Sequence, residues 1–523
     1  MFLRGSLLLT SLLVCLLTAL PPAAAQIPPA KPDPLAPRNQ AAAGCSADPA
    51  ASLCEEANPK IIANALGGSP LEENLRRLTD QIGGRMTGSA AMARAVAWGV
   101  AAFRQAGVDD VHTEKYPLQS SWSEGATRLE VLEPVPFAVH LVSVGWSPPT
   151  PAEGIAADVV DVGDGSEAGF AAAGASAKGA ILLVHSELLR TWEDLFNEYL
   201  RAPAIIDLAV RSGASAILWM STRERGLLYR HQNSLTGELD RLPQAVVARE
   251  DAQRLARFLA AGQKVRVHLA MPNRVGGPLE QENVVAEIRG REKPDEFVLL
   301  GAHLDSWELG TGALDNGCNA ALVIEAARAI SATGLRPRRT IRFALFSGEE
   351  QGTLGSWAYA RAHRSEMDRM LAAVIFDEGI GRVTGYSLGG RKDIEAGVRD
   401  ILRSAESWGA NRHTADAFIG TDNFDFLLEG VPTLVANQEE ANYLPNYHAS
   451  SDTFDKVEIR ELKLHTALAA VTVFGIAERP ERLGKRQTRA EVEALMKETG
   501  LDQQMKNLGL WPMWEQGQRG LPR

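Results

Sequence analysis

The sequence predicts an α/β protein, built on a doubly wound, mostly parallel sheet into which a β-rich domain is inserted. Strand-like apolar runs alternate with helical patterns from residue 283 onward, and this alternation favours a parallel sheet covered by helices on both faces. Short strand-like runs and glycine-rich turns fill residues 133–272. The length of 523 residues exceeds what one hydrophobic core usually supports.

The predicted elements divide the main domain into two pieces of sequence. Residues 59–132 carry two amphipathic helices, the first with Leu71, Leu75, Leu78 and Ile82 at helical spacing and the second over 90–105. Residues 273–480 carry the alternating part of the pattern, and residues 481–523 form a C-terminal extension. The predicted strands are 283–288, 296–302, 340–346 and 372–376, with helices starting near Asn316, Gly352 and Asp393.

The first residues have the pattern of a secretory signal peptide. One positive charge at Arg4 precedes an apolar run over 7–20 and small residues that end at Ala25. A retained membrane anchor is disfavoured because the run is shorter than the ~20 residues that a span needs. We therefore expect residues 1–25 to be removed, residues 26–58 to be a flexible Pro- and Ala-rich leader, and the protein to be secreted or periplasmic.

The cysteines agree with export. Cys15 leaves with the signal peptide, while Cys45 and Cys54 flank a short polar loop and are expected to pair in an oxidising compartment. Cys318 is expected to be a small buried residue rather than a metal ligand.

Composition excludes some functions. The formal net charge is −11, and no dense basic run occurs, which argues against nucleic acid as a partner because phosphate neutralisation needs clustered Lys and Arg. With 45% hydrophobic and 23% charged residues, the chain is typical of a soluble globular protein. We expect no membrane attachment after signal cleavage.

Acidic residues and histidines follow the predicted strands. His303 ends the run "EFVLLGAH" with Asp305 just after it, Glu349 and Glu350 follow "TIRFALFSG", and Asp377 follows "AAVIF". Asp315 lies in the glycine-rich turn "GTGALDNG", and His448 in the loop "PNYHASSDTFDKV". Because functional residues of such sheets gather at the carboxyl ends of the strands, we expect these side chains to meet at one edge.

These residue types suit a pair of zinc ions, which bind imidazole nitrogen and carboxylate oxygen. If Asp315 bridges, one ion is held by His303, Asp315 and Asp377, and the other by Asp315, Glu350 and His448. Three protein ligands for each ion leave room for a shared water, as in catalytic zinc sites.

Two further acids receive supporting roles. Asp305 is expected to accept a hydrogen bond from the far ring nitrogen of His303 and so to fix the orientation of the ring. Glu349 is not needed as a ligand and is free to act as the general base that takes a proton from the metal-bridging water.

Several stretches of the sequence, "GAHLDSWELGTGALDNG", "LFSGEEQGTLGS", "FDEG" and "YHASSDTFDKV", resemble the co-catalytic zinc metallopeptidase family 28. Within it, "LTDQIGGRMTGS" and "HLDSW" are similar to the carboxypeptidase Q group. The resemblance covers residues 60–480 and implies the zinc exopeptidase fold, the ligand roles above and a cis Asp315–Asn316 peptide. It also implies a protease-associated domain at 133–272. The loop before His448 departs from the family's usual run, and Tyr443 is the candidate there for stabilising the oxyanion.

The sequence therefore predicts an exported dizinc exopeptidase whose substrates are short peptides or dipeptides. The alternatives are an aminoacylase-like amide hydrolase, a glutaminyl cyclase-like enzyme with one zinc ion, and a metal-free binding or receptor homologue. The insert precedes His303, unlike in the aminoacylase-like enzymes, and the intact ligand set argues against the receptor. Counting the bound metal ions per chain would distinguish the cyclase, which has one zinc ion, from the dizinc peptidase. A small peptide is the expected partner, and a homodimer is left open.

Overall fold

The computed structural model describes residues 53–233 and 235–522. The predicted signal peptide and most of the predicted leader lie outside the described residues. The predicted α/β class is confirmed: helices pack with two large sheets. The first sheet contains, in spatial order, the strands Asp110–Leu118, Leu279–Ile288, Arg339–Phe346, Lys293–His303, Met370–Ile375, Thr433–Gln438 and Val383–Ser387.

This first sheet is mixed, with the expected parallel strands at its centre and antiparallel strands at its edges. Its four central strands, from Arg339–Phe346 to Thr433–Gln438, are mutually parallel, and the outer strands pair antiparallel. The strand Leu279–Ile288 is separated from Lys293–His303 by a connection too short for a parallel crossover, which needs a dozen or more residues. The strand Leu279–Ile288 therefore runs opposite to Lys293–His303 and pairs antiparallel with Arg339–Phe346, which lies between them.

The central strand Lys293–His303 is buried on both faces. Val298 and Leu300 belong to the core cluster that includes the helices Cys318–Ser331 and Ile459–Glu478, whereas Phe297 and Leu299 belong to a second cluster. Alternate side chains of a strand point to opposite faces, so the uninterrupted apolar run "FVLL" satisfies two cores at once. Burial on both faces fixes the position of the strand, and with it the position of His303 at the end of the strand.

All strands of the second sheet come from residues 128–270, which we call the second-sheet region. In spatial order they are Phe137–Val139, Arg128–Glu133, Arg266–Ala270, Ile155–Asp161, Ile181–Val184, Ala216–Met220, Gln244–Val247 and Leu141–Ser143. Two short strands, Trp122–Ser123 and Arg274–Val275, pair separately. The domain bounds at 133 and 272 stay a prediction.

The α-helices accord with the predicted positions at 90–105 and near Asn316, Gly352 and Asp393, and the predicted helix from Leu71 to Ile82 is α-helical over its first part only. The α-helices are Cys54–Leu66, Leu71–Arg76, Ala90–Gln105, Glu167–Ala173, Trp192–Ser212, Arg249–Ala260, Cys318–Ser331, Leu354–Ala362, Glu395–Ile401, Asn423–Leu428, Tyr443–Asn446, Ile459–Glu478, Arg489–Thr499, Leu501–Asn507 and Trp511–Glu515. Within residues 53–233 and 235–522, no helix has the length and apolar character needed to cross a membrane.

The first helix corrects the predicted end of the leader. The leader was expected to reach residue 58, but the helix Cys54–Leu66 already begins at Cys54, because Cys54, Ala57 and Ile61 are buried in the main core. Cys54 is disulfide-bonded. Its predicted partner Cys45 lies outside the described residues, so that pairing stays a prediction. Cys318 is free and buried, as expected.

The C-terminal residues form an ordered part of the protein. The last three helices bury Val492, Met496 and Met505 against Phe424 and Leu428. We call residues 489–522 the C-terminal segment. Its packing places it beside the carboxyl edge of the first sheet, where the predicted site residues lie.

Candidate active site

The predicted site residues meet at the carboxyl edge of the first sheet. His303 is the last residue of its strand, and Glu349 and Glu350 follow the strand Arg339–Phe346. Asp377 follows the strand Met370–Ile375, and His448 lies in the loop after Thr433–Gln438. These four strands are the parallel ones, so their ends point the same way and bring the side chains together.

Asp315 lies between the two histidines. Its Oδ1 is 3.1 Å from Nε2 of His303, and its Oδ2 is 3.2 Å from Nε2 of His448. The peptide between Asp315 and Asn316 is cis, as the family resemblance implied. The two carboxylate oxygens thus face two different imidazoles.

Each histidine also contacts a second carboxylate. Asp377 Oδ1 is 2.9 Å from His303 Nε2, and Glu350 Oε2 is 2.8 Å from His448 Nε2. Within each set of three, the facing atoms lie within 4.8 Å of one another. The structure therefore brings together two donor sets that share Asp315, in the grouping expected from the sequence.

The five side chains are all buried, at 1% to 7% exposed. Burial raises the pKa of Glu350 to about 7 despite the neighbouring His448. Burial also opposes the charged form of His448, but Glu350 and Asp315 outweigh it and raise the pKa of the imidazole to about 9. Hydrogen bonds from both histidines hold the pKa of Asp315 low against its burial. Such a concentration of buried carboxylates requires cationic partners.

Glu349 faces the same cavity. Its Oε2 is 4.0 Å from Nε2 of His303, farther than the oxygen atoms of the two donor sets. Burial raises the pKa of its carboxyl well above the ordinary value, and the nearby Asp377 and Glu350 add to this shift. Glu349 thus stands beside the donor sets without belonging to either.

The predicted role of Asp305 changes in one respect. The shortest contact from His303 Nδ1 is to the backbone carbonyl of Asp305, at 3.0 Å, and the carboxylate Oδ1 is 3.6 Å away. The carboxylate instead accepts hydrogen bonds from the backbone N–H groups of Glu349 and Glu350, each at 3.3 Å. The carbonyl of Asp305 thus contacts the His303 ring, while its side chain contacts the turn that follows the strand Arg339–Phe346.

The N-terminal motif "GGRMTGS" supports the loop between His303 and Asp315. Arg85 is fully buried and donates to the carbonyls of Leu304, Thr311 and Gly312, the last two at 2.9 Å. Thr87 Oγ1 donates to Asp305 Oδ2 at 2.8 Å. In the sequence this motif was recognised only by its resemblance to a family. The contacts of Arg85 and Thr87 were not predicted, because their partners lie more than 200 residues away.

Asp452 is a site residue that the sequence analysis did not identify. Its Oδ1 accepts from the backbone N–H groups of Ala313 and Leu314 at 3.0 and 2.7 Å, and its Oδ2 accepts from that of Asp315 at 3.1 Å. The side chain thereby fixes the backbone that presents Asp315. The available signal was its position four residues after His448 in the motif "HASSD".

Tyr443 lies at the site, where its hydroxyl contacts a ligand candidate. The hydroxyl donates to Asp315 Oδ2 at 3.1 Å, and the carbonyl of Asp377 lies at 3.3 Å. Burial raises the pKa of the phenol well above its ordinary value, so the hydroxyl keeps its proton. Tyr443 also lines the cavity.

The second-sheet region contacts His448 from outside the first sheet. His448 has a φ of 56°, a left-handed conformation that is uncommon for a residue other than glycine. The backbone N–H of Arg230 donates to the carbonyl of His448 at 3.0 Å, and Arg223 Nη2 donates to that of Tyr447 at 3.0 Å. Tyr199 Oη lies 3.4 Å from His448 Nδ1. This support from the second-sheet region was not predicted from the sequence.

The cavity above the two donor sets has a volume of about 600 Å³. Its walls include Trp192, Phe196 and Tyr199 from the helix Trp192–Ser212, at positions that share one helix face. Leu508 and Leu510 of the C-terminal segment form another part of the wall. The site is therefore lined by three separate parts of the sequence.

Comparison with known proteins agrees with this arrangement. Residues 283–473 match Peptidase family M28. Carboxypeptidase Q of Mus musculus is 28% identical over 413 residues, which cover 79% of this chain and 86% of that protein. Aminopeptidase YwaD of Bacillus subtilis (strain 168) is 24% identical, with coverage of 82% and 90%.

Solved structures give the same result. The crystal structure of a Peptidase M28 precursor from Shewanella amazonensis SB2B has a TM-score of 0.76 and 26% identity, and the match covers 83% of this chain and 99% of that one. BSAP, a zinc aminopeptidase from Bacillus subtilis, has a TM-score of 0.63 at 19% identity, covering 80% of this chain and 97% of that one, and supports the fold alone. Sequence, fold and the clustered site residues together show that the chain is similar to members of peptidase family M28, whose model matches residues 283–473.

Proposed function

We propose that the protein is an exported exopeptidase that uses two zinc ions in its active site to hydrolyse short peptides. The observation that carries this proposal is the position of Asp315, whose two oxygens face His303 and His448 separately. A carboxylate in this position is suited to bridging two ions. The signal-like sequence at residues 1–25 supports export.

The residues present fit zinc. Each donor set offers one imidazole nitrogen and two carboxylate groups, which are the nitrogen and oxygen ligands that zinc takes in proteins. Glu350 Oε1 is buried and accepts no hydrogen bond from the described residues. His303, Asp315 and Asp377 would hold one ion, and Asp315, Glu350 and His448 the other. Bound zinc supplies Lewis-acid stabilisation of the charge that develops on the scissile carbonyl oxygen.

Glu349 is the proposed general base. It lies beside both donor sets, and the hydrogen bond from its N–H to Asp305 fixes the turn that carries it. One carboxylate oxygen accepts a proton from the water that attacks the scissile carbonyl carbon. The same group then donates that proton to the leaving amine as the carbon–nitrogen bond breaks.

Tyr443 is the proposed additional donor to the oxyanion. It lines the cavity, and it retains its proton because burial raises the pKa of the phenol. Its hydroxyl donates to Asp315 in the structure. A small rotation would redirect it toward a carbonyl oxygen, where one well-placed donor contributes about 10²–10³-fold to turnover.

The size of the cavity supports a short substrate. A volume of about 600 Å³ lies within the range of small-molecule sites, and the helix Trp192–Ser212 and the C-terminal segment form its walls. The predicted protease-associated domain would then act as one wall of the site. Two donor sets favour two ions over the single ion of a glutaminyl cyclase-like enzyme.

The charge of the cavity wall favours a substrate with a free amino terminus. The carboxyl groups of Glu378 and Asp416 line the cavity. Among the described lining residues, the only arginine or lysine is Arg519, and its guanidinium is paired with Asp425. A cationic amino group would find acidic partners here, although burial raises the pKa of Glu378 to about 8, whereas a substrate carboxylate would find no unpaired arginine or lysine among the described lining residues.

A panel of dipeptides tests this function. Purified mature protein is assayed on free, N-acetylated and C-amidated dipeptides, with and without chelator. The proposal expects hydrolysis of free and C-amidated peptides, loss of hydrolysis on N-acetylation, and loss with chelator that zinc reverses. Preferred cleavage of the N-acetylated peptides would instead favour the aminoacylase-like alternative or a carboxypeptidase.

A further inference from the structure

One end of the cavity is walled by residues that no part of the catalytic scheme uses. The C-terminal segment is firmly attached there. Arg519 donates to both oxygens of Asp425, at 2.7 and 2.8 Å, and both side chains are 1% exposed. Met496 and Met505 are buried against Phe424. This wall is therefore a fixed part of the folded protein.

Two residues of the segment face the cavity from one side of a helix. Gln504 and Leu508 lie four positions apart, at and just beyond the helix Leu501–Asn507, and both line the cavity. Residues at this spacing share a helix face. Gln504 Oε1 accepts from the backbone N–H of Ile419 at 3.3 Å, which leaves Leu508 as the apolar group of the pair.

Other residues that line the cavity are apolar as well. Phe196 and Leu200 of the second-sheet region line the cavity together with Phe418. The rings of Phe196 and Phe418 contact each other edge to face, with centroids 6.1 Å apart. The helix Leu501–Asn507 also contacts the helix Trp192–Ser212. Three distant parts of the chain thus contribute apolar residues to the cavity that holds the donor sets, and we call this part of the lining the apolar chamber.

We propose that Leu508 is a specificity-determining residue that limits the size of the apolar substrate side chain held in this chamber. The inference rests on the proposed peptidase function and adds a substrate class to it: peptides with an apolar side chain at one of the two residues that flank the scissile bond. Leu508 is half-buried and contributes its surface to the chamber. Changing its size alters the available volume directly.

The test compares Leu508→Ala, Leu508→Phe and Leu508→Trp with the wild-type full-length mature protein. The substrates are the dipeptide series Ala-X and X-Ala, with X as Ala, Leu, Phe or Trp. The measured quantity is kcat/KM for each large X divided by kcat/KM for Ala-Ala. Because each ratio is taken within one preparation, a reduced fraction of folded protein cancels. Asn507→Ala is the matched control, since Asn507 is adjacent and exposed but does not line the cavity.

In one of the two series, Leu508→Trp should lower the ratio for Phe and Trp by about 10-fold or more, and Leu508→Phe should lower it less. Leu508→Ala should raise that ratio, because a few methylene groups in an apolar pocket change discrimination by about 10–200-fold. Asn507→Ala should keep the wild-type ratios. Ratios within about twofold of wild type in both series would overturn the inference while leaving the proposed function intact. A wild-type protein that hydrolyses none of the dipeptides would overturn the proposed function itself.

Discussion

The hydroxyl oxygen of Tyr199 lies 3.4 Å from Nδ1 of His448, although the two residues are 249 positions apart. The same hydroxyl lies 3.0 Å from that of Tyr447. Nε2 of His448 faces Asp315 and Glu350, so with a metal ion on Nε2 the proton would lie on Nδ1, which would donate to Tyr199. The second-sheet region therefore orients a residue of the proposed metal centre without supplying a ligand.

Tyr199→Phe should weaken zinc binding. Partners of the far nitrogen of a ligating histidine typically contribute 10–100-fold to metal affinity, and the long contact favours about 10-fold. Competition with a chelating indicator measures the affinity, and excess zinc should restore activity. Tyr386→Phe is the control, because the Tyr386 hydroxyl contacts Thr472 instead of the cavity. Equal zinc affinity in the two variants would refute the orienting role.

Substitutions of Glu349 and Glu350 should have different effects on turnover and on metal content. Glu349→Gln should keep both metal ions and substrate affinity but lower kcat by about 10²–10⁴-fold, because the general base is lost. Glu350→Gln removes an anionic donor, so it should lower the metal content, with activity falling as a consequence. Metal analysis beside kinetics distinguishes the two variants. Wild-type turnover in Glu349→Gln would mean that the base lies elsewhere.

Tyr443→Phe tests the proposed oxyanion donor. The variant should keep its zinc and nearly its KM, while kcat falls by about 10²–10³-fold, as for the removal of one oxyanion donor. Zinc content and steady-state kinetics are measured on the same preparation. If the variant instead binds zinc more weakly but keeps nearly normal kcat at saturating zinc, the role of Tyr443 is to hold Asp315 in place and not to stabilise the oxyanion.

Asp452→Ala should destabilise the fold and the site together. Three backbone N–H groups, of Ala313, Leu314 and Asp315, would lose their acceptor, and each buried donor left unpaired costs about 1–3 kcal/mol. Urea unfolding measures the free-energy change, and zinc content reports the site. Asp455→Ala, an exposed change in the same loop, should stay within about 0.5 kcal/mol of wild type. Similar stability of the two variants would contradict the role of Asp452.

The sequence predicted the residues that follow directly from strand periodicity. His303, Glu350 and Asp377 each come at or just after an apolar run, and the ends of parallel strands meet at one edge. The antiparallel edges of the sheet were not predicted, although the short connection between the predicted strands 283–288 and 296–302 already disfavoured a parallel crossover.

The contacts that support the site could not be predicted in the same way. Tyr199 lies on an amphipathic helix of the second-sheet region, and its spacing fits a core residue as well as a site residue. Asp452 and Arg85 bind backbone groups, and backbone hydrogen bonds leave no pattern of residue types in the partner segment. Leu508 is placed by the packing of the C-terminal helices on residues 417–428, which no local periodicity reveals.

The central claim is that Asp315 bridges two zinc ions that peptide hydrolysis requires. Metal-free protein is titrated with zinc while bound metal and hydrolysis of a free dipeptide are followed together. We predict that full activity requires two bound ions per chain, and that His303→Ala and His448→Ala each lose metal and activity in parallel. Full activity with one ion or none per chain, or in either histidine variant, would contradict the account.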